Sequence, residues 1–194
     1  MCRRQRTAGV TLIEVVIFIV VVAIGFTSLF MLQANTARAT VDPLIRKQAL
    51  SLATSFLEEI ELRAFTYCDP DDRDVYTAQA ASVGSGNCAT TVEVPGLEAG
   101  ESYATRTTLD NVNDYSGIPA MTGAGIVDIT GTAISPTDLN GYSVAITVAN
   151  IAAGELTDVA DPNDALKITV TVTAPAGVRV QLQGYRLRYA PNSP

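Results

Sequence analysis

Residues 7–32 read TAGVTLIEVVIFIVVVAIGFTSLFML, and from 10 to 32 the run carries a single ionisable side chain, Glu14. As a helix rising about 1.5 Å per residue, these 23 residues span about 34 Å, enough to cross a hydrocarbon core about 30 Å thick. A carboxylate costs on the order of 2.5–3.5 kcal/mol at the bilayer centre, so Glu14 raises the question of which cation it meets. Snorkelling or protonation near the interface is the alternative to such a partner.

Outward from this run, Arg3, Arg4 and Arg6 lie on its N-terminal side. That end is therefore expected to stay cytoplasmic while the remainder is exported. A cleavable secretory signal is one rival reading, and Ala37, Arg38 and Ala39 resemble its cleavage site. The apolar run is longer than the usual h-region of about 7–15 residues, and those three residues lie beyond its end. A plain single-pass anchor explains the length but neither Gly9 before the run nor Glu14 inside it.

The 194 residues leave room for one domain behind this element. Thirteen basic residues against 20 acidic ones give a net charge of −7. Nucleic acid is a poor fit, because it needs clustered cations to displace counterions. The chain has no histidine. Ser-His and Cys-His nucleophile pairs and His-ligated metals are thereby excluded, and no nucleophile motif points to an enzyme. The expectation is no catalytic residue, no metal and no cofactor.

After Leu32 the polarity changes at once. Asp42 is a candidate N-cap and Pro43 a candidate first helical residue. From 44 to 63 the apolar residues Leu44, Ile45, Ala49, Leu52, Ala53, Phe56, Leu57 and Ile60 recur at helical spacing. They predict an amphipathic helix lying along a sheet. Tyr142, Val144, Ile146 and Val148 alternate with polar or small residues, as do Ile168, Val170 and Val172. In the last segment Val178, Val180 and Leu182 are out of phase with Tyr185, Leu187 and Tyr189. A bulge at Gln183 and Gly184 would restore one face to the core. Weaker strand candidates lie at 103–109 and 126–134. One long helix followed by mainly antiparallel strands makes an α+β fold.

Cys68 and Cys88 would both be exported, where disulfides persist. Their pairing would close a loop of about 20 residues, contributing roughly 3 kcal/mol in the chain-entropy model. Two free thiols or an intersubunit bond are the alternatives. Cys2 lies before the apolar run. Inside the loop, DPDDRD supplies Asp69, Asp71, Asp72 and Asp74, and further on LDNVNDYSG supplies Asp110, Asn111, Asn113 and Asp114. Neither matches an EF-hand, which needs a glycine and a terminal glutamate at set offsets, so both are expected to be exposed loops.

A basic leader ending in Gly9 and followed by VTLIEVVI resembles the class III signal of type IV prepilins and type II secretion pseudopilins. The resemblance implies cleavage between Gly9 and Val10 by prepilin peptidase, and N-methylation of Val10. Val10 stands where most of that family has phenylalanine or methionine. It also implies that Glu14, then at mature position five, meets the N-terminal ammonium of a neighbouring subunit in a water-free filament core. At about 4 Å and an effective dielectric near 20, such a pair attracts by about 4 kcal/mol before desolvation. A wrong register would leave both charges unpaired.

The segments DPLIRKQALSLA, LEEI, CDPD and DNVNDYSG narrow the likeness to MshD-type minor pilins of the mannose-sensitive haemagglutinin pilus. This likeness covers about residues 1–117. It implies a leader at 1–9, a membrane and filament-core helix at 10–32, an amphipathic helix at 33–64 and a β-rich domain at 65–194 with a disulfide loop at 68–88. The expected role is a structural minor pilin, held in the inner membrane with its N-terminus cytoplasmic and then displayed on the pilus in cell adhesion. Its expected partners are other pilin subunits, the peptidase/methyltransferase, the inner-membrane assembly platform and the membrane itself, with no nucleic acid. A minor pseudopilin of a type II secretion system is the alternative.

Overall fold

One helix, α1, runs from Leu12 to Glu61, and Pro43 lies inside it rather than at its start. The expected restart at Asp42 is not found. An interior proline removes one donor from the helical ladder and crowds the carbonyl four residues back, a cost of about 3 kcal/mol that the helix here absorbs without ending. The computed structural model describes residue 9 and residues 11–135 and 137–194; within α1 it describes only the backbone at 28, 29 and 31–42. The leader with Cys2, and the predicted methylation site Val10, lie outside the described residues.

The chain divides into two compact units, Met1–Leu44 and Ile45–Pro194. In the first, the described apolar side chains of α1 are largely exposed, Leu12 at 83 % and Phe30 at 67 % among them. Among the described residues, no helix is long and apolar enough to cross a membrane.

In the second unit, four antiparallel strands form a meander in the order β1 (Met121–Thr122), β2 (Ser143–Asn150), β3 (Ala165–Thr173) and β4 (Arg179–Leu187). Alternation along β2 and β3 puts Val144, Ile146, Val148, Leu166, Ile168, Val170 and Val172 on one buried face. Val144 pairs with Val172 and Ile146 with Val170, so branched side chains stack across the strands. The α1 stripe of Ala49, Leu52, Ala53, Phe56 and Ile60 packs on this face, with Ile45 and Leu57 at its border. Leu44 stays exposed. Helix on antiparallel sheet is the expected α+β arrangement, and burying that stripe is what holds the two layers together.

Three local expectations are corrected. β4 pairs with β3 in unbroken register from Thr173–Arg179 to Ala165–Leu187, with no bulge at Gln183 and Gly184. Val180, Leu182 and Gly184 face α1, while Tyr185 and Leu187 lie on the outer face. Gly184 is small because α1 crosses it: a Cβ there would come 3.1 Å from Leu57 Cδ1 and collide with the Glu61 carboxylate. Residues 103–109 form turns instead of a strand, and 126–134 hold only an isolated bridge between Val127 and Ala133. In both stretches, side-chain hydrogen bonds and tight turns take the place of a ladder.

Candidate functional site

The predicted assembly residues sit at the start of α1. Gly9 is exposed, and a Cβ added to it would touch nothing within 4 Å. Thr11 precedes the helix and Glu14 stands in its first turn. The Glu14 N–H donates to the Thr11 carbonyl at 3.1 Å and to Thr11 Oγ1 at 3.4 Å. Threonine followed three residues later by glutamate is the spacing of a capping box, and a carboxylate in the first turn suits the positive end of the helix dipole. Thr11 thus caps the first turn, with the Glu14 carboxylate at the positive end of the helix. Glu14 joins no ion pair among the described residues.

Cys68 and Cys88 are joined in a disulfide. With Val75 and Ala78 they form a small second core, bordered by Tyr67 and Val92. Asp72 organises this loop from within. Its Oδ1 accepts the N–H groups of Asp74 and Ala89 at 2.9 Å each; its Oδ2 accepts those of Thr90 and Thr91 at 2.8 and 2.9 Å. Burial disfavours the charge, but the N–H groups of Thr91, Ala89, Asp74 and Thr90 outweigh it and hold the carboxyl well below its ordinary range. The C-terminal tail closes the loop from outside, where Asn192 Nδ2 donates to the carbonyls of Val75 and Ala78 at 2.8 Å.

The two acidic stretches expected to be separate exposed loops converge. Carboxylate oxygens of Asp69, Asp71 and Asp110 lie within 4.8 Å of one another, as do those of Glu101, Asp110 and Asp114. A cleft of about 240 Å³ opens between them, lined also by Glu98 and Thr108. Asp114 is buried, and its Oδ2 accepts the N–H groups of Asp110 and Asn111 at 2.9 and 2.7 Å. Asn111 is buried too, and its Nδ2 donates to Thr66 Oγ1 at 2.9 Å. Glu93 is buried, 6 % exposed, with neither carboxylate oxygen hydrogen-bonded.

Such crowding disfavours ionisation. Burial, then repulsion by Asp114, Glu98, Asp110 and Asp69, pushes Glu93 up to about 10. Burial and a direct contact with the Asp69 carboxyl push Glu98 up to about 8. Burial raises Asp114 to about 7 against the pull of the Asn111 N–H, and burial with repulsion from Asp69 raises Asp110 to about 6. Arg63 attracts Asp110, and Arg188 acts on Glu93 from a distance. Arg188 is itself held by Asp164 at 3.4 Å and stacked 4.1 Å over the Phe65 ring. This constellation supplies oxygen ligands and charge; it contains no nucleophile.

Sequence reasoning singled out neither Glu93 nor Glu98 and Glu101. They stand in TVEVPGLEAGE, where nothing in the local pattern distinguishes a buried glutamate from a solvated one. The recurrence of acidic residues on either side of Pro95 and Gly96 was the available signal. Comparison with protein-family models, with curated proteins and with solved structures yields no match.

Proposed function

We propose that this chain is a minor pilin, a structural subunit that assembles through the N-terminal half of α1. The observation that carries the reading is the exposed apolar side chains of α1 from Leu12 to Phe26 and at Phe30, with Glu14 in its first turn. A surface of that extent needs a nonaqueous environment or a partner: lipid before assembly, other subunits after it. Glu14 supports the same reading, because an acid inside an apolar surface selects the neighbour that brings a cation to the correct height. The N-terminal ammonium left by cleavage between Gly9 and Val10 is that cation. Attraction and desolvation largely offset one another in such a pair, so it acts on alignment more than on strength.

Mass spectrometry of the mature N-terminus in sheared pili tests processing and incorporation together. The expected chain begins at N-methylated Val10. A chain beginning after Ala39 would overturn the proposal in favour of ordinary secretion. Glu14→Leu is expected to be cleaved normally and to reach filaments at a reduced level, and wild-type incorporation of that variant would remove the alignment role.

A further inference from the structure

We propose that the free edge of β4 accepts an extended acidic segment of a partner protein as a fifth strand of the sheet. The ladder fixes which backbone groups are available. At the two ends of the β3–β4 pairing, the Ala174 N–H donates to the Val178 carbonyl at 2.8 Å and the Arg188 N–H to the Asp164 carbonyl at 2.9 Å. Hydrogen-bonded and non-hydrogen-bonded pairs alternate in an antiparallel ladder, so the even residues from Val180 to Arg186 bond to β3. The β2–β3 pair agrees: the Ile151 N–H donates to the Ala165 carbonyl at 3.1 Å, which turns the odd residues of β3 towards β2. Arg179, Gln181, Gln183, Tyr185 and Leu187 therefore point their N–H and C=O groups away from the sheet. Among the described residues these groups have no hydrogen-bond partner.

β4 also lacks the devices that usually close an edge. It runs for nine residues in unbroken register, with no bulge and no proline. A row of unpaired N–H and C=O groups at strand spacing matches one kind of ligand, another extended backbone. The side chains of Arg179, Gln181, Gln183, Tyr185 and Leu187 are exposed on the outer face. On the inner face Val180 and Leu182 are half-buried at the border of the core, and they offer apolar contact to alternate side chains of a guest strand.

Charge selects the occupant. In a chain of net charge −7, β4 carries Arg179 and Arg186 and no acid. Neither arginine joins an ion pair among the described residues; Glu61 of α1 reaches the strand at Gly184 but pairs with neither. Arg186 lies 5.6 Å from the Tyr189 ring centroid, and its Nε is buried without an acceptor. Opposite charges facing each other across two strands stabilise the pair, and like charges destabilise it. A guest strand with acids opposite Arg186 on the inner face and Arg179 on the outer face answers both. Pairing β4 with the β4 of a second copy would instead bring two arginines from each strand, and no acid, to one ladder. The edge lies within the packed domain and stands or falls independently of the assembly reading.

The probe is the synthetic peptide Thr-Glu-Thr-Val-Thr-Val-Thr-Val-Glu, which in antiparallel pairing sets one glutamate opposite Arg186 and the other opposite Arg179. It is titrated to about 1 mM into the full chain in detergent, with amide hydrogen exchange read by NMR. Exchange is expected to slow at Gln181, Gln183, Tyr185 and Leu187, and to change little at Leu182, Gly184 and Arg186, which already bond to β3. Methylating the peptide nitrogens of the third, fifth and seventh residues should abolish the effect. Replacing Arg179 and Arg186 together with glutamate should weaken binding by about tenfold or more, while Arg73→Glu, on an exposed turn, leaves it unchanged. Gln183→Pro loses a donor only on the open side, so it should keep the sheet by circular dichroism and lose the peptide. If that variant fails to fold, the methylated peptide makes the same test on the unaltered chain. Absence of protection at about 1 mM peptide would overturn the proposal, as would equal binding of the methylated peptide or of one with lysine for glutamate. Protection of the same amides that rises with protein concentration alone would overturn it in favour of pairing between copies.

Discussion

Arg106 grips Glu59 through two parallel hydrogen bonds, Nε to Oε1 at 2.7 Å and Nη2 to Oε2 at 3.0 Å, with the arginine fully buried. Arg106 Nη2 also donates to the Val127 carbonyl at 3.2 Å, its guanidinium lies 5.1 Å from the Phe56 ring centroid, and Tyr115 Oη donates to Glu59 Oε1 at 2.9 Å. One ion pair thus fastens α1 to the 106, 115 and 127 segments, none of which is held to it by a strand.

Removing one partner strands the other in a buried site. Arg106→Met or Glu59→Ala alone is expected to cost about 3–5 kcal/mol in denaturant unfolding. Replacing both with methionine should recover most of that loss, because no orphaned charge remains. A double variant as unstable as the sum of the singles would show that packing, not charge, sets the cost.

Asp72→Asn should destabilise the domain by about 1–3 kcal/mol at neutral pH, since four part-buried N–H groups lose a charged acceptor. The folded-state value of Asp72 lies below its ordinary 3.8, so its contribution is complete above the unfolded value and is lost as pH falls through the folded one. The stability difference between wild type and variant should therefore stay level from pH 7 to about 5 and close only in strong acid. Urea unfolding at a series of pH values measures it, and a difference that vanishes above pH 4 would contradict the role given to the backbone donors.

Reducing the Cys68–Cys88 bond is expected to lower the thermal midpoint by about 6–12 °C, from roughly 3 kcal/mol of lost loop constraint in a chain of this size. Hydrogen exchange should report the loss first at Ala89, Thr90 and Thr91, whose N–H groups depend on the loop holding Asp72 in place. Uniform acceleration across β2 and β3 instead would mean that the loop and the sheet unfold as one unit.

The register of β4 is tested by two substitutions with opposite expectations. Gly184→Val drives a side chain into Leu57 and Glu61 and should cost about 1–3 kcal/mol. Tyr185→Ala, on the outer face where its hydroxyl meets Glu155 at 2.9 Å, should cost less than about 1 kcal/mol. A bulge that turned Tyr185 inward would reverse this order, with a cost of about 3–5 kcal/mol for losing a buried aromatic ring.

By itself, the sequence determined whatever depends on repetition along the chain. The stripe from Ala49 to Ile60 and the alternation in β2 and β3 are consequences of helical and pleated periods, which neighbouring residues display without any partner. Two cysteines in one candidate exported segment likewise limited the disulfide to one pairing. Phase was less legible, because Gly184 has no side chain to show which face it occupies; the crossing of α1 decided that, and it is a long-range contact. Charges were least legible of all. Glu59 and Arg106 are 47 residues apart, and Glu93 meets acids from both sides of it in the chain. Whether a carboxylate is solvated, capped by N–H groups like Asp72, or left bare like Glu93 is set by what folding brings beside it. Local pattern specified the layers of this protein, and only tertiary packing decided where its charges had to be answered.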